Sequence, residues 1–326
     1  MKQRAGMTWA KRLAWLWLGI LVIVAALVPC LPLPYAPAVP DLAHVAAPPG
    51  SASHWLGTDA QGQDVLANLL FGTRTVVLLT LPAAALAALL GGLAGGIAGF
   101  WGNRLALPLP YWLAALTLTW ASLRLPGYSY ALALAMLAAL SILLQQRMRW
   151  RWPVFRLPLD TFLLGSITML GAVPRLLLVV AITSQGVTGI DLVVLLALLA
   201  WPEMARLVRA HMQRTRVLPF IEAARVAGLP PLRLWLWHAL PHALQPLRTA
   251  LPLSLTALIG LETTLSFLGV GLPPTVPSWG RMLASARLNP SSYSSAIYPL
   301  FLLIISIVAL QTLATSPSFT IHKQKI

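Results

Sequence analysis

The sequence predicts an all-α polytopic membrane protein, and three observations carry that prediction. Of 326 residues, 58% are hydrophobic and only 10% are charged, whereas a soluble domain carries about 25% charge. Uncharged apolar runs recur along the chain at the length of roughly 20 residues that a helix needs to span a bilayer. The basic residues fall between those runs, which is where orientation signals sit. The formal charge of +15 therefore reads as membrane topology and not as a nucleic-acid surface. The single cysteine, Cys30, allows no intrachain disulfide.

Taken in order, residues 1–12 form a leader with Lys2, Arg4, Lys11 and Arg12, followed by an uncharged run over residues 13–34. A cleaved signal peptide and a retained span compete here. The run exceeds the about 7–15 apolar residues of a signal peptide, which favours the span, with the N-terminus in the cytoplasm. Residues 35–74 are polar and proline-rich, with Asp41, Asp59 and Asp64 and no basic residue before Arg74, and are placed outside. Within them a turn and short helix are expected, capped by Thr58 or Asp59 and presenting Leu66, Leu69 and Leu70 as its apolar face. Residues 75–101 read as the second span, where Gly91, Gly95 and Gly99 repeat every four residues beside Gly92 and Gly96. That spacing lets helices approach closely.

Two further uncharged runs, 105–123 and 125–146, are separated by a turn at Arg124-Leu125-Pro126-Gly127. A basic loop follows, with Arg147, Arg149, Arg151 and Arg156 beside Trp150 and Trp152, a cytoplasmic-interface pattern. Residues 160–183 form the next span, containing Pro174-Arg175. A span starting at Asp191 runs into Glu203 and Arg206, a local pair at i, i+3. Residues 247–272 span again with Glu262 inside, and residues 296–315 form the last span. Four basic residues lie in the leader, four in the Arg147–Arg156 loop and seven from Arg206 to Arg248, against Arg74, Arg124, Arg281 and Arg287 on the other side. With Lys323 and Lys325 in the tail, both termini are assigned to the cytoplasm.

The most informative stretch is residues 220–241. Glu222-Ala223-Ala224 is followed after three residues by Gly228, then Leu229-Pro230-Pro231, and later Leu240-Pro241. Glu222 suits a helix N-terminus, and Gly228 before two prolines is a helix stop. A second helix is expected over residues 232–240. This spacing resembles the cytoplasmic coupling loop of ABC importer permeases. Two outer segments strengthen the resemblance. Gly57, Thr58, Asp59, Gly62 and Asp64 match a pattern preceding the core domain of dipeptide, oligopeptide and nickel permeases, although Gln63 and Asn68 stand where basic residues are usual. Ser278, Trp279 and Gly280 match the family's outer loop. A structured outer loop without a ligand role is the plainer account of the first pattern.

The resemblance covers residues 55–301 apart from an inserted hairpin at about 104–157. It implies a type I ABC importer permease fold with about eight transmembrane helices, six of the family plus the hairpin, within a permease domain over residues 75–316. The coupling loop would occupy about 210–246 and a cytoplasmic tail 317–326, where Ser316-Pro317-Ser318-Phe319 departs from the family. It further implies residence in the bacterial inner membrane and partnership with two ABC ATPase subunits, a second homologous permease and an extracytoplasmic substrate-binding protein. This chain would bind no cofactor, ATP being used by the ATPases. It would pass peptides, with nickel or another small solute as alternatives, and receive the ATPase stroke through Glu222, Ala223, Ala224, Gly228, Leu240 and Pro241. The rival readings are a non-transporting scaffold or receptor and a membrane-embedded enzyme.

Catalytic groups are not expected. There is no Gly-x-x-x-x-Gly-Lys-Ser/Thr and no His-Glu-x-x-His. His238 and His242 are four apart but lack a third ligand, and the six histidines do not cluster as a metal site, so no metal is expected. Two ionisable residues fall inside predicted spans, Arg175 and Glu262. Each lies about 15 residues, or roughly 22 Å, from the cytoplasmic start of its span. Buried ionisable groups in lipid usually pair, so the expectation is an Arg175–Glu262 ion pair or a lining of the outer pathway. A purely local strut is the simpler alternative.

Overall fold

The computed structural model describes residues 9–51, 54–103, 105–107, 155–183, 188–288 and 293–315. They divide into two compact units, Met1–Phe100 with Gly165–Ile326, and Trp101–Leu164.

The larger unit is helical. Helix α1 (Trp9–Leu27) continues as a 3-10 turn to Cys30. Helix α2 (Val65–Trp101) runs unbroken for 37 residues. It therefore absorbs both the short outer helix and the separate span expected from residue 75. Its cap is Asp64, whose Oδ1 accepts from Ala67 N at 2.7 Å, and not Thr58 or Asp59. Its first buried side chains are Val65, Ala67 and Asn68, while Leu66, Leu69 and Leu70 are half-buried.

Further along, α2 packs with its small residues inward and its large ones outward. Gly91, Gly92, Gly95, Gly96 and Gly99 are buried, whereas Leu78, Leu81, Leu86, Leu89 and Leu93 are exposed. Lipid tails are as apolar as leucine, so between membrane helices close backbone packing drives association. A Cβ added at Gly91 would lie 2.7 Å from Trp201 O, at Gly95 2.3 Å from Ala205 O and at Gly99 2.8 Å from Arg209 O. Those three acceptors lie on α5 (Gly189–Thr215). Thr188 and Asp191 start α5 with a capping box, each side chain accepting from the other's backbone.

The expected single span over residues 160–183 is broken. Helix α3 (Leu159–Ala172) and helix α4 (Arg175–Thr183) meet at 77° across Val173-Pro174. Proline donates no backbone hydrogen bond and disfavours helical backbone in the residue before it. After α5 come α6 (Pro219–Val226), α7 (Pro231–Leu234), a π-turn over Trp235–Ala239 and α8 (Leu240–Ala243). The expected second loop helix is thus three short pieces. Helix α9 (Leu247–Phe267), helix α10 (Trp279–Leu288) and helix α11 (Tyr293–Ala314) complete the unit.

Among the described residues, two apolar cores hold these helices together. One joins Ala83 and Ala87 of α2, Val179 of α4, Leu192 and Leu196 of α5, and Leu258 of α9. The other joins Leu21 of α1, Val76 of α2, Ile259 of α9, Trp279 of α10 and Leu303 of α11.

In the smaller unit, β1 (Leu105–Leu107) pairs antiparallel with β2 (Phe155–Leu157), Leu105 opposite Leu157. The two ends of the expected insertion therefore meet, and residues 105–107 are strand where a span was expected to begin. Asn103 Oδ1 accepts from the backbone of Asp160 and Thr161 at the start of α3. The two spans expected between 105 and 146, and the basic loop at 147–151, lie outside the described residues. Among the described residues four helices are long and apolar enough to cross a membrane, or five with the bent pair counted as one. The expected eight is not reached among them.

Candidate functional site

Three places bear on function: the loop after α5, the ionisable residues between helices, and the outer segment before α2.

In the loop, α6 buries one side chain completely, Ile221. Glu222 and Ala223 are exposed and Ala224 is half-buried. The helix ends in a Schellman motif: Gly228 N donates to Arg225 O at 3.0 Å and Leu229 N to Ala224 O at 3.3 Å. Gly228 has φ +81° with nothing within 4 Å of a notional Cβ. Glycine is required there by backbone conformation, not by crowding. Val226 is 89% exposed and Trp237 74% exposed. Behind this surface, Trp235 and Leu240 are buried, while Pro241 is exposed. Trp235 Nε1 donates to Gly96 O at 3.2 Å, and Leu240 Cδ1 would lie 2.8 Å from a Cβ at Gly96. Arg216 reaches Gly99 O at 3.3 Å. The loop is thereby fixed to the end of α2 through residues that sequence spacing alone assigned only to packing.

The expected Arg175–Glu262 pair does not form. Arg175 Nη2 donates instead to Glu203 Oε1 at 2.5 Å, which also leaves the expected Glu203–Arg206 pair unmade. The break at Pro174 makes Arg175 the first residue of a new helix, so its distance along a straight span no longer locates it. Arg175 and Glu203, 49% and 55% exposed at the side chain, border a small cleft with Ser254, Ala257 and Leu261 of α9. Glu262 is fully buried, and its Oε1 accepts from Ser266 Oγ at 2.8 Å. A charge exchange of Arg175 and Glu203 should recover what either single reversal loses in melting temperature, measured in detergent; a double exchange no more stable than the singles would sink the pairing.

The two motifs that the sequence assigned to the outer side meet. Ser278 caps α10, its Oγ accepting from Arg281 N at 3.2 Å. Trp279 is completely buried and its Nε1 donates to Leu69 O at 3.2 Å. A Cβ at Gly280 would lie 2.2 Å from Thr263 O, so this position admits no side chain. Arg281, which sequence reasoning counted only as a charge on the outer side, donates to the carbonyls of Leu272, Pro273 and Val276 and so holds the loop after α9 in shape. Burial pulls its guanidinium below the ordinary value, and Glu262 opposes that shift.

Opposite α10, Gly57 and Gly62 have φ +80° and +79°, and their added Cβ atoms would strike Ala47 O and Asp41 O. Thr58 Oγ1 accepts from Ala47 N at 2.8 Å and donates to His44 O. Asp59 Oδ1 accepts from Gln61 N and Gln63 N at 2.9 and 2.8 Å. The two departures from the family pattern bond to each other: Asn68 Nδ2 donates to Gln63 Oε1 at 2.8 Å, and Asn68 Oδ1 accepts from Ala38 N at 2.9 Å. A cavity of about 240 Å³ lies between the motifs, lined by Asp59, Gln63, Asn68, Ser278, Arg281 and Met282 among others.

Burial raises the Asp59 carboxyl above its ordinary value, against the hydrogen bonds from Gln63 and Gln61. An acid with a raised folded value stabilises the fold less as pH climbs from the unfolded value through the folded one. Asp59→Asn keeps the Oδ1 acceptor and removes the buried charge. It should raise the melting temperature at pH 7 and give no gain near pH 4, measured in detergent at both pH values.

A chain of membrane-length helices packed through glycines, with a capped amphipathic helix in the loop between two of them, has the design of a transport permease. The chain belongs to the binding-protein-dependent transport system inner membrane components, whose family model matches residues 154–316. It is 30% identical over 274 residues to the di/tripeptide transport system permease protein DppC of Pseudomonas aeruginosa, covering 82% of this chain and 73% of that protein. It is 29% identical over 241 residues to the inner membrane ABC transporter permease protein YejE of Escherichia coli, covering 74% of this chain and 55% of YejE. The chain thus spans about half to three quarters of the length of these relatives.

Proposed function

We propose that this protein is the permease subunit of an ATP-driven peptide importer and forms half of its translocation pathway. Its partners in this reading are two cytoplasmic ABC ATPases, a second homologous permease and an extracytoplasmic substrate-binding protein, and both its termini lie in the cytoplasm. The chain itself holds no nucleotide, ATP being used by the partner ATPases. Peptides are the substrate class because the relative DppC is named for di/tripeptide transport.

The observation that carries the coupling role is the exposure of α6. An eight-residue helix with one buried side chain gains little from its own burial, and isolated helices that short are unstable in water. It persists because Ile221 anchors it and Gly228 closes it. Its outward face of Phe220, Glu222, Ala223 and Val226 is small, mixed and accessible, which suits insertion into a groove of an ATPase. Displacement of α6 passes directly into α5, and through Trp235 and Leu240 into α2 at Gly96. Both are long helices, so a push at one end moves the pathway end as a rigid body.

A pull-down from detergent tests this. Wild type should retain the ATPase, Glu222→Ala should weaken that association, and Gly228→Trp should abolish it or uncouple ATP turnover. Failure of wild type to retain any ATPase would overturn the coupling role and favour a scaffold.

A further inference from the structure

Away from the pathway, the outer segment assembles a group that the sequence hid. His44 and His54, ten residues apart in a loop-rich stretch, converge on Asp41, correcting the expectation that the histidines do not cluster. Asp41 Oδ2 lies 2.9 Å from His44 Nδ1 and 3.4 Å from His54 Nε2. The three ligand atoms all fall within 4.8 Å of one another. Ligands about 2.0–2.1 Å from a tetrahedral ion sit roughly 3.4 Å apart, so small adjustments suffice to seat one.

The surroundings match the chemistry. His54 is almost wholly buried, its ring stacked on Tyr35 at 3.8 Å. Its other nitrogen, Nδ1, lies 2.8 Å from Asp64 Oδ2. In the tautomer with its proton on Nδ1, toward Asp64 Oδ2, His54 turns the Nε2 lone pair toward Asp41 Oδ2, and a cation between them satisfies both acceptors. A carboxylate bonded to the far nitrogen of a histidine is the usual outer-shell support of a metal ligand. Asp41 Oδ1 is already engaged by Ala43 N at 3.0 Å, which leaves Oδ2 as a single-oxygen ligand. Two carboxylates, Asp41 and Asp64, balance a divalent charge.

We propose that Asp41, His44 and His54 bind one divalent transition-metal ion of the zinc type, with Asp64 fixing the His54 tautomer. Imidazole with one carboxylate suits such ions and not calcium or magnesium. Three protein ligands leave a fourth position for water or for a group of a docking partner. The ion ties residues 41–44 to His54 and, through Asp64, to the first turn of α2, so it sets the shape of the outer segment.

The test uses the full-length chain in detergent, purified without a histidine tag, stripped by chelator and titrated with Zn²⁺ against a chromogenic chelator. Wild type should take up one tight equivalent, and Co²⁺ should give a visible d–d band of low-symmetry type. His44→Ala, an exposed change that leaves the fold intact, should lose that equivalent. Asp64→Asn retains an oxygen to cap α2 but turns an amide N–H toward His54, reversing the tautomer. It should weaken zinc by about 10–100-fold, the usual effect of losing an outer-shell partner, with unchanged melting temperature of the stripped protein. His238→Ala, on the other side of the molecule, should leave the tight equivalent in place. Absence of a tight equivalent in folded wild type, or equal affinity in His44→Ala, would overturn the site.

Discussion

Gly228→Trp is expected to abolish uptake while the protein inserts, folds and accumulates normally. The backbone at Gly228 has φ +81°, a region that costs an L-residue about 1–2 kcal/mol. That strain is local, because no neighbouring atom lies within 4 Å of a Cβ there. It falls on the Schellman closure of α6 and on nothing in the membrane. The indole then projects from the exposed end of the helix, where a partner groove would close on it. A graded series separates the two effects. Gly228→Asn should retain most uptake, since asparagine tolerates left-handed backbone. Gly228→Ala should lose part through strain, and Gly228→Trp all of it through strain and bulk together. Uptake of labelled dipeptide in cells, with membrane levels measured by immunoblot, reads the series. Normal uptake by the tryptophan variant would mean that α6 is not seated in a partner.

The largest effect on stability is expected at Gly95. A Cβ there would stand 2.3 Å from Ala205 O and 3.0 Å from Arg209 N, both main-chain atoms of α5. Backbone cannot swing aside as a side chain does, so Gly95→Val must separate α2 from α5. Overpacking typically costs about 1–3 kcal/mol and occasionally more, and contact between two backbones belongs at the upper end. Gly92, three residues earlier on α2, meets only the ends of side chains, Leu244 Cδ2 at 3.0 Å and Leu247 Cδ1 at 3.7 Å. Gly92→Ala should therefore be milder. Gly260 on α9 has nothing within 4 Å, and Gly260→Ala should be neutral or stabilise by up to about 1 kcal/mol, as alanine does inside helices. Melting temperatures in detergent should rank Gly95→Val lowest by a clear margin. Equal melting of the Gly95 and Gly260 variants would refute close packing of α2 on α5.

The sequence by itself determined the class of molecule and the place of the loop helix α6. Composition and the spacing of apolar runs are properties of the chain that no packing can reverse, because each span must satisfy its own backbone in lipid. The stop at Gly228 was legible for a similar reason: a left-handed residue followed by two prolines is decided within a few peptide bonds. The tertiary structure decided which charges meet. Arg175 left its expected partner because the break at Pro174 turned α4 by 77°, and a position counted along a straight span is lost at a bend. Glu203 looked like the partner of Arg206 because only local pairs are visible along a chain. The five glycines of α2 announced close contact, yet their division into a face for α5 and a face for the loop came from the fold. Asp41, His44 and His54 were unremarkable in sequence, and Asp64 stood out only as part of the outer motif, since irregular loops have no period from which proximity can be read. They converge because the glycine turns at Gly57 and Gly62 fold the outer segment back on itself.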